Sequence, residues 1–221
     1  TCLGYDALKE LENRIDKRVV DNQRVILHMS FDNGKSAYCW NNELVSPIPP
    51  EAKIMTSIEV IPLKDLMNLK KLAIKVLDDP QDTFMKGNLG EAITDKLFMD
   101  DILTEIAKRS SIPKDKLEVE LLGKSGRPDF QIKVSGTDER IAVIEVKYVG
   151  DRGDVKVFER QIEGAGTQIK NRFEDPEWTA DYGVIVVIAW SPGQILGDES
   201  YPSMVGSYKN PYIEFFSKEG G

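Results

Sequence analysis

Apolar residues in the second half of the chain recur first at every other position, then at helical spacing, then as an unbroken run. Segments 116–123 (KLEVELLG), 128–134 (PDFQIKV) and 140–149 (RIAVIEVKYV) read as consecutive strands, the latter two separated by SGTDE. The basis is that side chains of an extended chain alternate between two faces. Segment 155–173 sets Phe158, Ile162, Ala165, Ile169 and Phe173 at intervals of 4, 3, 4 and 4, which is the period of a helix face. Gly164 and Gly166 weaken that helix and imply close packing against a neighbour. Segment 182–191 (YGVIVVIAWS) is continuously apolar, the pattern of a strand covered on both faces. Ahead of these, 86–109 predicts one long helix with Ile93, Leu97, Ile102 and Ile106 on or near a single stripe.

The N-terminal part follows a different order. Leu8, Leu11, Ile15 and Val19 predict a helix over 5–19, and 24–40 predicts a hairpin around Asn33-Gly34, a residue pair that tolerates the positive φ of a tight turn. Three prolines in 45–53 (VSPIPPEAK) break regular structure, and a further helix is expected over 63–77. DDPQD (78–82) marks a boundary, giving a helix-hairpin-helix extension over 1–82 and a core with its tail over 83–221. In that tail, YIEFFS has the character of an edge strand.

Against this patterning, the apolar strand 140–149 contains Glu145 and Lys147. Two residues apart, they share a face at roughly 6.5–7 Å along the strand. Asp129 opens the preceding strand, where a hairpin-like connection brings its carboxylate level with Glu145. Two carboxylates about 4 Å apart repel by about 4 kcal/mol at an effective dielectric of 20, so a shared cation is the economical reason to pair them. Oxygen ligands suit a hard divalent ion such as Mg²⁺, which takes one or two carboxylates plus waters and phosphate oxygens. Lys147 would then face the nucleophile, to orient it, assist its deprotonation and offset charge on a phosphate oxygen.

Pro128-Asp129, fifteen residues, then Glu145-Val146-Lys147 resembles the PD-(D/E)xK nuclease superfamily. Helix, three-strand meander, helix and strand is also that superfamily's core order, and the resemblance covers about residues 84–191. It implies a restriction-endonuclease-like α/β fold, a central mixed β-sheet flanked by helices (α-β-β-β-α-β) with the N-terminal helix and hairpin as an extension. It also implies that Asp129 and Glu145 bind Mg²⁺, with Mn²⁺ able to substitute, that the Val146 carbonyl completes the metal shell, and that Lys147 serves the attacking water. GNLGE places Glu91 where archaeal Holliday-junction resolvase-like and restriction-like members carry Gly-Glu on the first core helix, making it a further acidic member. A glutamine frequently follows on the next helix; Gln161 and Gln168, seven residues apart, are the candidates, Gln161 first. Lys124 and Arg127 in GKSGRPD flank the mouth of the site, where they could hold a phosphate backbone. The resemblance thus implies a Mg²⁺-dependent endonuclease hydrolysing DNA; the competing reading is a nuclease-fold module that binds DNA or assembles with protein without cutting. Cutting both strands of a duplex requires two active sites, which a homodimer would supply.

Composition narrows the field around this reading. A net charge of −8 argues against a surface coated in positive charge, though not against a local basic cleft. His28 is the single histidine, which excludes a histidine-ligated zinc hydrolase and leaves a Ser-His-Asp triad without support. GKS is no phosphate-cradling loop, because Glu118 stands where the first glycine belongs. Cys2 and Cys39 form no disulfide framework, and the longest apolar run is too short to cross a bilayer. The expected setting is intracellular, away from the membrane. Lys156, Arg160, Lys170 and Arg172 read as the solvated face of their helix.

Overall fold

In a computed structural model the described residues are 25–31, 36–40, 43–44, 54–123, 126–150, 154–196 and 204–218. The expected helix over 5–19, the Asn33-Gly34 turn, the break at 45–53 and Lys124 lie outside them. Two compact units emerge: one runs to Gln81 and takes back the segment from Ser191, the other comprises Asp82–Trp190 and the stretch from Met204. No helix among the described residues is long and apolar enough to cross a membrane.

The first unit holds an antiparallel sheet of β1 (Val25–Phe31), β2 (Ser36–Trp40), β3 (Glu43–Leu44) and β4 (Ile54–Pro62), ordered β3-β2-β1-β4. β1 and β2 pair from Ile26↔Trp40 to Ser30↔Ser36. Helix α1 (Leu63–Asp78) buries Leu69, Ala73 and Val76, a spacing that keeps one stripe inward. A short helix, Pro192–Leu196, belongs to the same unit. Its start is a reciprocal cap: Ser191 N–H donates to Gln194 Oε1 (2.7 Å), and Gln194 N–H donates to Ser191 Oγ (3.2 Å).

The second unit opens with α2 (Thr83–Ile93), whose N-cap Asp82 accepts from the Met85 N–H. The single helix expected over 86–109 is delivered in pieces: α2, a π-helical turn over Thr94–Phe98, and α3 (Met99–Ser110). Thr94, fully buried, donates its hydroxyl back to the Gly90 carbonyl (2.9 Å), a bond that competes with the regular ladder. Because a π turn advances the chain by an extra residue, Phe98 rather than Leu97 is buried between Ile93 and Ile102.

Next come β5 (Leu117–Leu121), β6 (Phe130–Val134) and β7 (Arg140–Tyr148), helix α4 (Val155–Glu174) and β8 (Tyr182–Ile188). A two-strand ribbon of β9 (Met204–Val205) and β10 (Tyr208–Lys209) precedes β11 (Tyr212–Ser217). Five of these strands make one sheet ordered β11-β8-β7-β6-β5, mixed in sense, with β7 and β8 parallel and the other pairs antiparallel. Parallel neighbours need a crossover, and α4 supplies it. The unit is therefore an α/β fold, a mixed five-strand sheet flanked by helices.

The alternation in β7 decides what each face receives. Val143 packs with Ala165 and Ile169 of α4 and with Ile185, so Glu145 and Lys147, of the same parity, point toward the α4 side. Val146 and Tyr148 point the other way, where α2 approaches so closely that a Cβ on Gly90 would lie 2.8 Å from Tyr148 Cβ. The Tyr148 hydroxyl donates to the Trp190 carbonyl, and Asn210 exchanges hydrogen bonds with the Ala189 backbone (3.0 and 3.2 Å). These bonds fasten the chain that continues beyond β7 and β8.

Candidate active site

The site lies where β6 and β7 part. Their pairing runs from Lys133↔Arg140 to Phe130↔Ile144, and the last backbone bond is from Asp129 N–H to the Ile144 carbonyl (3.0 Å). One step further along β7, the Val146 N–H finds the Asp129 carboxylate in place of a strand, at 2.6 Å. A short charge-assisted bond of this kind fixes the carboxylate's position. In an extended strand the N–H and C=O of one residue project to the same edge, so the Val146 carbonyl also points to the edge that β6 has left. Upstream, the turn at Gly126 takes a φ of +83°, a conformation glycine adopts without strain.

Glu145 is 2% exposed yet charged in kind. Its Oε2 lies 3.6 Å from Lys147 Nζ, and its Oε1 lies 3.4 Å from Arg172 Nε on α4. Arg172 also donates from Nη1 to the Gly126 carbonyl (3.0 Å). One guanidinium therefore touches both the metal-candidate carboxylate and the turn that delivers Asp129.

Three carboxyl groups here favour their protonated forms more than free carboxyls do. Burial pushes Glu145 up, then the charge of Asp129, against the opposing pull of Lys147 and Arg172. Burial likewise pushes Asp129 up, countered by the Val146 N–H, Lys147 and Arg172. Glu91, on α2, is raised by burial and then by Asp129. Asp129 is thus the electrostatic centre, felt by Glu145 and by Glu91. Carboxylates that burial and mutual repulsion hold above their ordinary range are short of positive charge.

A hard divalent cation between them would offset that repulsion. Among the described residues no three Asp, Glu, His or Cys side chains gather tightly enough to hold an ion alone. Mg²⁺ asks for fewer, one or two carboxylates completed by carbonyl, water and substrate oxygens. The donors at this strand end, Asp129, Glu145 and the edge-facing Val146 carbonyl, are all oxygen and fit that chemistry.

Of the remaining candidates, none touches these carboxylates through a contact among the described residues. Gln161 is half-buried and Gln168 exposed, on the stripe of α4 that continues to Arg172. The Arg127 guanidinium stands 5.6 Å from the Trp178 ring centroid, so its described partner is an aromatic face. Arg140 lies over the same ring at 4.7 Å, donating from Nε to Gln131 Oε1 (2.7 Å).

Arg172 is the residue that reading by periodicity assigned wrongly. Its side chain is 16% exposed and reaches Glu145, whereas α4 neighbours Lys156 and Lys170 are exposed as expected. The missed signal was positional: 161, 168 and 172 advance by seven and four, so the stripe offering glutamines ends in an arginine. Comparison of the chain with protein-family models, with curated proteins and with solved structures found no match.

Proposed function

We propose that this chain is a divalent-metal-dependent endonuclease acting on DNA, with a restriction-endonuclease-like core of the PD-(D/E)xK type. The observation that carries the reading is the Asp129 carboxylate seated on the Val146 N–H at 2.6 Å. That bond brings Asp129 into electrostatic reach of Glu145 and Lys147 at the open end of a buried strand. Support also comes from the element order, a helix, three antiparallel strands, a crossover helix and a parallel strand.

Asp129, Glu145 and the Val146 carbonyl are the groups that would hold Mg²⁺ or Mn²⁺. Once bound, such an ion supplies Lewis-acid polarisation of a phosphodiester and a more acidic water. Lys147, with its ammonium 3.6 Å from Glu145, donates hydrogen bonds to the attacking water and offsets charge that grows on the phosphate oxygens. Glu91 adds a further acidic group beside Asp129. Gln161 and Gln168 of α4 would meet the nucleic-acid backbone.

A cleavage panel of plasmid, linear, single-stranded and branched DNA, with Mg²⁺, Mn²⁺ or chelator, tests the reading. The parent should cut only with metal. Asp129→Ala and Lys147→Ala should fold and not cut; variants that cut as well as the parent would remove this site from the reaction.

A further inference from the structure

We propose that Arg172 is a positioning residue of the site, a two-armed clamp that fixes the turn carrying Asp129 against the strand carrying Glu145. The inference rests on the metal-site reading above and adds a residue to it.

The turn is short. Gly126 and Asp129 are three residues apart, and both ends are tied down: Asp129 by the Val146 N–H (2.6 Å), Gly126 by Arg172 Nη1 (3.0 Å). Arg127, between them, rests over Trp178 just beyond the end of α4. The same guanidinium that holds Gly126 presents Nε to Glu145 Oε1 (3.4 Å). Glu145 Oε2 is left on the Lys147 side, away from the arginine. Separation of the two carboxylates that would share a cation is therefore set through one side chain.

Arginine suits this task for a chemical reason. Its donors sit at fixed angles in a planar fork, so two acceptors on different elements can be met at once, whereas lysine offers one flexible ammonium. Arg172→Lys keeps the positive charge beside Glu145 and gives up one arm. If the residue served only as a counter-charge, lysine would replace it.

The test uses the full chain, titrated with Mn²⁺ by calorimetry as parent, Asp129→Ala and Arg172→Lys. Amide hydrogen exchange is followed without metal at Gly126, Arg127 and Asp129, the residues of that turn that carry an N–H. The parent should bind Mn²⁺ and Asp129→Ala should not. Arg172→Lys should bind about fivefold to tenfold more weakly, as expected for losing one solvent-exposed hydrogen bond. Its exchange at the turn amides should quicken while β8 stays protected, and DNA cutting should recover to within about twofold of the parent at saturating Mn²⁺. If the parent binds no Mn²⁺, or Asp129→Ala binds it equally, the metal-site reading fails and the clamp with it. If the parent binds through Asp129 while Arg172→Lys matches it in affinity and exchange, the clamp alone is overturned.

Discussion

Gly90 is the point at which α2 meets β7, and replacing it with alanine reads out how tightly that contact governs the site. A Cβ there would lie 2.8 Å from Tyr148 Cβ and 3.3 Å from Val146 Cγ1. Non-bonded carbons rest at about 3.5–4 Å, so the helix must withdraw from the strand by roughly 1 Å. Neither obstructing atom is the free end of a flexible chain. Overpacking of this kind costs about 1–3 kcal/mol, against a gain of about 0.5–1 kcal/mol for alanine over glycine within a helix. Gly87, three residues earlier in α2 with nothing within 4 Å of its would-be Cβ, provides the gain without the clash. Gly87→Ala should therefore be the more stable variant, and Gly90→Ala should melt about 5 °C below it, at 2–4 °C per kcal/mol for a chain of this length. Glu91 travels with the displaced helix. A misplacement of about 1 Å can cost about a hundredfold in rate, so cutting should fall far more in Gly90→Ala than in Gly87→Ala. Thermal melts and initial cleavage rates of the two variants, side by side, make the measurement. Equal melting temperatures, or a Gly90→Ala that is the more stable, would refute the close approach as a constraint.

Further outcomes follow from the same geometry. Glu91, Asp129 and Glu145 are all raised by burial, so their contribution to stability is full below the unfolded-state values and is lost as pH rises through the folded ones. Asp129→Asn, which keeps an oxygen for the Val146 N–H, should thus be more stable than the parent in chelator at about pH 7, with the advantage fading toward about pH 4. Mn²⁺ should raise the melting temperature of the parent and leave that of Asp129→Asn unchanged; a variant less stable than the parent at neutral pH would contradict the charge balance. Lys147→Met should retain Mn²⁺ binding in calorimetry but lose cutting by about a hundredfold or more, and loss of binding instead would make Lys147 a structural partner of Glu145. Arg140→Ala strands the oxygen of the buried Gln131 and removes the cation over Trp178. It should lower stability by about 2 kcal/mol in denaturant titration and leave Mn²⁺ affinity intact.

Much of this protein is decided by period alone. That Glu145 and Lys147 share a face follows from alternation in a strand, whatever the strand pairs with, and the helical rhythm of Phe158, Ala165 and Ile169 likewise predicts the buried face of α4. The unbroken apolar run at 182–191 announced a covered strand, and β8 is buried along nearly its whole length. What periodicity could not reach depends on register and on competition among distant partners. Where β6 leaves β7, and hence that Asp129 replaces a strand at Val146, is set by the Phe130↔Ile144 pairing. The π turn over Thr94–Phe98 shifts the helix repeat by a residue and exchanges Leu97 for Phe98 in the core. Arg172 has the reach to face either water or Glu145, and only the assembled turn at Gly126, which offers a second acceptor, draws it inward. Local spacing is a property of a few neighbouring residues, whereas these choices are free-energy differences between contacts many residues apart.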